Sequence, residues 1–416
     1  MRNILTLFLI MNVITIYSQD NTTPSYTIEL NSKFDFKSNS LGMNFFSDFL
    51  YGGHITNKEK DKWLSNISEN NIINFEVINS IKLTHNKNKN SFILEISDKN
   101  IANLSFTDDI LGLILKGNYY YEDDTLKFDN TSLKANRFQQ IKFGYSRDIK
   151  SISIGTAISF LHGNHHYSYM LQKGHLYTGA SGSLLDLNYD MQAFATDTSN
   201  LSFFLNNGYG FAFDINVKFK HDNWLVNIYL TDLGFIKWKK SSIIYSTDSN
   251  FVFNGIEVED FINFNDSIIE NEVETFKNNL TKTENRQFKS YIPANFGISF
   301  YSKITNHIVK DITTGFNFRW QPYMDNLILS GEKITQGIKE SNYFPYFYFT
   351  TTCDAKYIDI ISQIAYGGFT ENINLGLAMK IFKKNPIIIG TNHLETVFNY
   401  ENNESVNIYL QMQRNF

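Results

Sequence analysis

Four histidines, His162, His165, His166 and His175, crowd into one short stretch with Ser168 among them. Imidazoles are good metal ligands, and a hydroxyl held beside one can become a nucleophile. The surrounding residues alternate as a strand does, so the interval from His162 to His166 does not bring both rings onto one helical turn. Exposed histidines near the rim of a strand protein are the plainer reading, and no metal or cofactor is expected. Gly179-Ala180-Ser181-Gly182-Ser183 lacks the order Gly-x-Ser-x-Gly and leads into a strand, so it reads as a turn rather than a nucleophile elbow. No glycine pattern that cradles phosphate precedes a helix. The chain is expected not to be an enzyme.

Charge that recurs with period two is more informative. From Tyr209 to Phe219 every odd position is large and apolar, while even positions are small, polar or charged. Side chains on a strand alternate between faces, so this segment has one apolar and one wet face, at the length of a tilted membrane-spanning strand. Asp214, Asn216 and Lys218, with Lys220 just beyond, fall on the wet face and are candidate lumen or gate residues. The same period returns in Asn223 to Tyr229, in Asn372 to Ile381 and in several further segments. No run after Ile16 reaches the roughly 18 to 20 apolar residues of a spanning helix. Any membrane crossing must therefore use strands.

The composition agrees. Among 416 residues, aromatics make up 16% and charged residues 19%, which excludes an intrinsically disordered chain. A net charge of -5 makes nucleic acid a poor partner. Arg2 and the apolar stretch from Ile4 to Ile16 resemble a secretory signal peptide over residues 1–18. The single cysteine, Cys353, permits no intrachain disulfide. Only 5 prolines occur, as suits a barrel in which every strand is central. The last segment alternates from Ser405 and ends on Phe416, the form of an insertion signal read by barrel-assembly machinery. Thr56 to Ile67 and Asp266 to Lys282 read as helices, and Asp108 begins a third inside the barrel.

These readings predict an all-β fold, a transmembrane antiparallel β-barrel of about 14 strands (12–16) in the outer-membrane lipid. Its expected divisions are a signal peptide (1–18), an N-terminal plug or lid (19–70) and the barrel (71–416), with short helices in the plug and in one long loop.

Asn206 to Asp214, followed by Asp232-Leu233-Gly234-Phe235-Ile236-Lys237-Trp238, resembles a family of outer-membrane barrels from Gram-negative bacteria with type IX secretion. Its pattern is a glycine-rich approach to an alternating strand and then a D-L-G-x-I-x-W turn. Leu161-His162-Gly163, Gly117-Asn118 and Ile292-Pro293-Ala294 match shorter pieces. Asp232, Gly234 and Trp238 of this motif read as structural, since an Asp can satisfy turn amides and a Trp can anchor at the membrane interface. The resemblance implies kinship with FadL-like transporters and with PorV and PorP/SprF-type barrels. Two functions follow as expectations: a conduit for small hydrophobic molecules, or a barrel that docks a secreted or motility protein without transport. A conduit requires an apolar pocket in the lumen; an adaptor requires a filled lumen and an exposed aromatic patch.

Overall fold

The structure, a computed structural model, describes residues 25–52, 54–182, 184–197, 205–253, 282–304, 308–321, 326–327, 343–399 and 403–416. The expected signal peptide and the helix at Asp266 to Lys282 lie outside these, apart from Lys282. The chain forms a closed antiparallel barrel of 14 strands. The wall runs through β1 (Ser25–Ser38), β2 (Asn71–Lys87), β3 (Asn90–Phe106), β4 (Thr131–Ile149), β5 (Ile152–Thr178), β6 (Gly208–His221) and β7 (Trp224–Trp238). It continues through β8 (Ala294–Lys303), β9 (Val309–Trp320), β10 (Phe344–Ala355), β11 (Ile358–Gly368), β12 (Ile373–Ile381), β13 (Ile387–Thr391) and β14 (Ser405–Asn415). The ring closes where β1 pairs with β14, from Thr27 opposite Asn415 to Lys37 opposite Ser405.

Turn chemistry sets the two ends apart. Two-residue connections carry Asn88, Lys150, Asp222 and Lys356 at positive φ, as tight hairpins between twisted strands require. All lie at the end shared by Ser25 and Asn415, the periplasmic end of a bacterial outer-membrane barrel. Phe416 exchanges backbone hydrogen bonds with Tyr26 there, at 2.9 and 3.3 Å. Long connections gather at the opposite end.

The outward face carries a band of exposed apolar side chains, including Phe143, Ile158, Phe211, Phe213 and Ile215. A closed wall with every strand paired and an apolar exterior places the protein in the outer membrane. Among the described residues no helix is long and apolar enough to cross a membrane.

The barrel begins earlier than the expected boundary at residue 71. Lys33, Asp35 and Lys37 alternate with Phe34 and Phe36 in a segment expected to be plug, and the segment is the wall strand β1. What caps the barrel is inserted between β1 and β2, as helices α1 (Met43–Tyr51) and α2 (Asn57–Ser65) at the long-loop end. Thr56 begins α2 with a reciprocal capping box to Glu59. The third helix, α3 (Asp108–Lys116), follows β3 at this same end and joins the cap instead of lying within the lumen. Leu41, Phe45, Trp63, Phe106, Leu111 and Leu115 bury a shared apolar core, with the Phe45 and Trp63 rings edge to face at 5.0 Å. Burying each such side chain is worth about 1.5–3 kcal/mol, enough to hold short helices that would not persist alone.

Candidate functional site: the barrel interior

The interior has two contrasting halves, and a fault in one strand pairing organises the first. Phe213 pairs with Leu233 but Ile215 pairs with Leu230, so β7 carries one extra residue opposite Asp214. Asp232 absorbs it with φ +58, a left-handed conformation that Asp tolerates better than most residues. The bulge changes which positions face inward. Below it Tyr229 and Thr231 line the lumen; above it Ile236 and Trp238 do.

Asp214 and Asp232 meet at this bulge. Asp214 Oδ1 accepts the Asp232 amide at 2.8 Å. Lys142 Nζ lies 2.6 Å from Asp214 Oδ2 and 3.3 Å from Asp232 Oδ1. Lys99 Nζ and Gln140 Nε2 each donate to the Asp232 carboxylate at 2.8 Å. Two lysines thus face two aspartates across β3, β4, β6 and β7, and Glu95, opposite Lys142 on β3, acts on that lysine as well.

Above it lies an apolar core inside the barrel, built on Trp238 with Phe138, Leu161, Ile236, Phe288 and Ile292 among others. Trp238 is fully buried and donates from Nε1 to Ser290 Oγ at 2.8 Å. It is therefore a core residue and not an interface anchor, and D-L-G-x-I-x-W is a bulged strand rather than a turn. A Cβ on Gly163 would stand 2.6 Å from the Trp238 ring, and one on Gly234 would overlap the Phe211 carbonyl. The scattered family pieces Gly163, Gly234, Trp238 and Ile292 converge on this one packing site.

His166 sits against the same core, its ring 5.2 Å from that of Trp238 and 4.9 Å from that of Phe288. Its Nε2 is 2.9 Å from Ser168 Oγ, and its Nδ1 is hydrogen-bonded to Asn136 Oδ1. The order hydroxyl, imidazole, amide matches a nucleophile, its base and an orienting group. His166 and Ser168 are only 1% and 3% exposed, and aromatic rings occupy the space beside the imidazole. The arrangement satisfies buried polar atoms. His162 bonds Gln139 instead, and His175 lies 3.5 Å from Asp129, so the four histidines do not converge.

The remaining lumen candidates separate. Asn216 bonds Asn227 on the same face as Asp214. Lys218 follows on that face toward the tight turns. Lys220 reaches the rim, where it pairs with Asp148 at 3.2 Å with both side chains about half exposed, outside the lumen proper.

The second half of the interior holds a cavity of about 320 Å³ between β1 and β2 on one side and β7, β8 and β9 on the other. Lys33 Nζ and Lys37 Nζ both approach Asp35 Oδ2, at 2.9 and 3.3 Å. Arg319 pairs with Glu76, which also lies 3.6 Å from Lys33. Of the twelve side chains lining the cavity, five are charged, and only Ile78 and Phe369 are wholly apolar. The cavity is therefore polar, contrary to what a hydrophobic conduit requires of the lumen. Sequence reasoning missed Lys33, Asp35, Lys37, Glu76 and Arg319. The alternating charges of β1 were the available signal, hidden by assigning that segment to a plug.

Residues 22–392 match a family of unknown function, DUF5723. The chain belongs to that family. No curated protein is significantly similar in sequence to this DUF5723 chain. Among solved structures it is similar to the toluene transporter TbuX of Ralstonia pickettii at 7% identity, with 95% of this chain and 90% of that one covered and a TM-score of 0.46. It is also similar to a Pseudomonas aeruginosa FadL homologue, at 9% identity, 94% and 90% coverage and a TM-score of 0.44. The P. putida toluene transporter TodX is similar at 7% identity, 94% and 90% coverage and a TM-score of 0.42.

Proposed function

We propose that this DUF5723 chain is a gated conduit for small molecules across the outer membrane. The polar cavity inside the wall carries this reading, because a barrel that served only as a membrane anchor has no need of one. The cap formed by α1, α2 and α3 is the gate, held by its own apolar core and by the ion pair from Lys116 to Asp61. The lining favours polar cargo over the hydrophobic cargo expected from the family resemblance. The burial of His166 and Ser168 supports a structural rather than a hydrolytic role for that pair.

Liposome swelling with the refolded mature chain tests the reading. Small hydrophilic solutes should enter only slowly with the intact protein, and quickly once Met43 to Asn66 is replaced by a short flexible linker that leaves β1 in the wall. Equal impermeability of both proteins, each shown to be folded, would overturn it.

Docking of a secreted or motility protein is the second reading, and it draws on Tyr51, Tyr119 and Tyr120, aromatic side chains exposed at the long-loop end. Crosslinking through these positions in intact cells, with capture of one stoichiometric partner and no solute flux, would favour it instead.

A further inference from the structure

The two ionic clusters in the lumen differ in charge balance and in saturation. At the bulge, Lys99 and Lys142 match Asp214 and Asp232 one for one. Among the described residues that line the cavity, Lys33, Lys37 and Arg319 face Asp35 and Glu76, an excess of one positive charge. His393, which also acts on Asp35, is paired with Glu395 at 2.9 Å and so adds no net positive charge to the cluster. An unpaired charge in a confined site of low polarisability is costly, and an anion entering the cavity relieves the cost.

The hydrogen-bond inventory adds a second, independent requirement. Both lysines use Asp35 Oδ2, and among the described residues Asp35 Oδ1 is buried without a partner although the residue is only 3% exposed. Asn317 Oδ1, also at the cavity, is a second acceptor without a partner among the described residues, and Arg319 Nε is a donor without one among them. A ligand that completes the site would supply negative charge to Arg319 and the lysines and, once a small rotation turns the buried oxygens toward the cavity, hydrogen-bond donors to Asp35 and Asn317.

Resting on the conduit reading for its purpose, we infer that the cavity binds a small hydroxylated carboxylate, its carboxylate toward Arg319, Lys33 and Lys37 and its hydroxyls toward Asp35 and Asn317. The cavity lies at the small end of ligand sites, which suits one molecule of sugar-acid or hydroxy-acid size. Planar Arg319 can grip a carboxylate through two donors where a lysine offers a point charge.

Calorimetric titration of the full mature chain in detergent at fixed ionic strength, with gluconate, sorbitol and acetate as probes, tests this. Gluconate should bind at least tenfold more tightly than either sorbitol, which lacks the charge, or acetate, which lacks the hydroxyls. Asn317→Ala, which alters no charge, should reduce the preference for gluconate over acetate severalfold and leave acetate binding unchanged. Arg319→Gln should weaken gluconate at least tenfold, and Lys37→Gln provides the same charge test should Arg319→Gln not fold. Gluconate binding no tighter than sorbitol or acetate, or insensitive to these substitutions, would overturn the inference. Gluconate binding without solute flux through liposomes would keep the site and overturn the conduit; flux without binding would do the reverse.

Discussion

The backbone amide of Asp232 donates to Asp214 Oδ1 at 2.8 Å, so a carboxylate on one strand holds the bulge of its neighbour in place. The bulge turns Asp232 inward to Lys99 and Lys142, and shifts the positions above it so that Trp238 enters the barrel core. One extra residue thereby links the ion cluster to the apolar packing above it.

Asp232→Asn keeps a residue that accepts the left-handed conformation but removes the charge between two largely buried lysines. Removing one partner of a buried pair should destabilise the barrel by about 3–5 kcal/mol. Urea unfolding of the refolded protein in detergent measures this. Adding Lys99→Met should recover part of the loss, because it removes one of the stranded cations. Equal stability of Asp232→Asn and the parent protein would show that the cluster is not a strut.

Gly163 packs against the Trp238 ring, and Gly163→Ala should cost about 1–3 kcal/mol through overpacking. Reducing the ring with Trp238→Leu in the same chain should make the alanine less harmful than it is alone. Additive losses in a double-mutant cycle would contradict the contact.

Ile215 faces outward on β6, while Asn216 beside it faces inward to Asn227. Ile215→Arg should destabilise the folded barrel in lipid by about 2–4 kcal/mol, as for a cation near the bilayer midplane. Asn216→Arg should cost clearly less. Reversal of that order in folding titrations into liposomes would mean that the strand faces the other way.

The cap should loosen in acid. Hydrogen bonds donated by the Thr56 hydroxyl and amide hold the Glu59 carboxyl below the usual carboxylate range. A carboxylate whose pKa is depressed on folding stabilises the fold above its unfolded value and loses that contribution as pH falls through the folded one. Hydrogen-exchange protection at the start of α2 should therefore drop between neutral pH and the acid side of the ordinary glutamate range. Glu59→Gln should lack this step; an unchanged step in that variant would assign it to another group.

Much of the wall was legible because alternation reports directly which side of a strand meets lipid. β6 could be read residue by residue, and Asp214 fell on its inner face. β1 could not: Lys33, Asp35 and Lys37 read as a polar plug because pairing with the chain terminus nearly 400 residues away has no local signature. The D-L-G-x-I-x-W piece stood out as a motif, but its meaning lay in a register fault that only the pairing of β6 with β7 reveals. The meeting of Arg319 with Glu76 likewise depends on closure of the ring, since these residues lie on strands separated by most of the chain.

Single-channel conductance across a planar bilayer tests the central claim most directly. The intact chain should stay closed or show rare, brief openings, and the chain with Met43 to Asn66 replaced by a short linker should show sustained openings of one size. A folded barrel that remains closed in both forms would contradict the gated conduit.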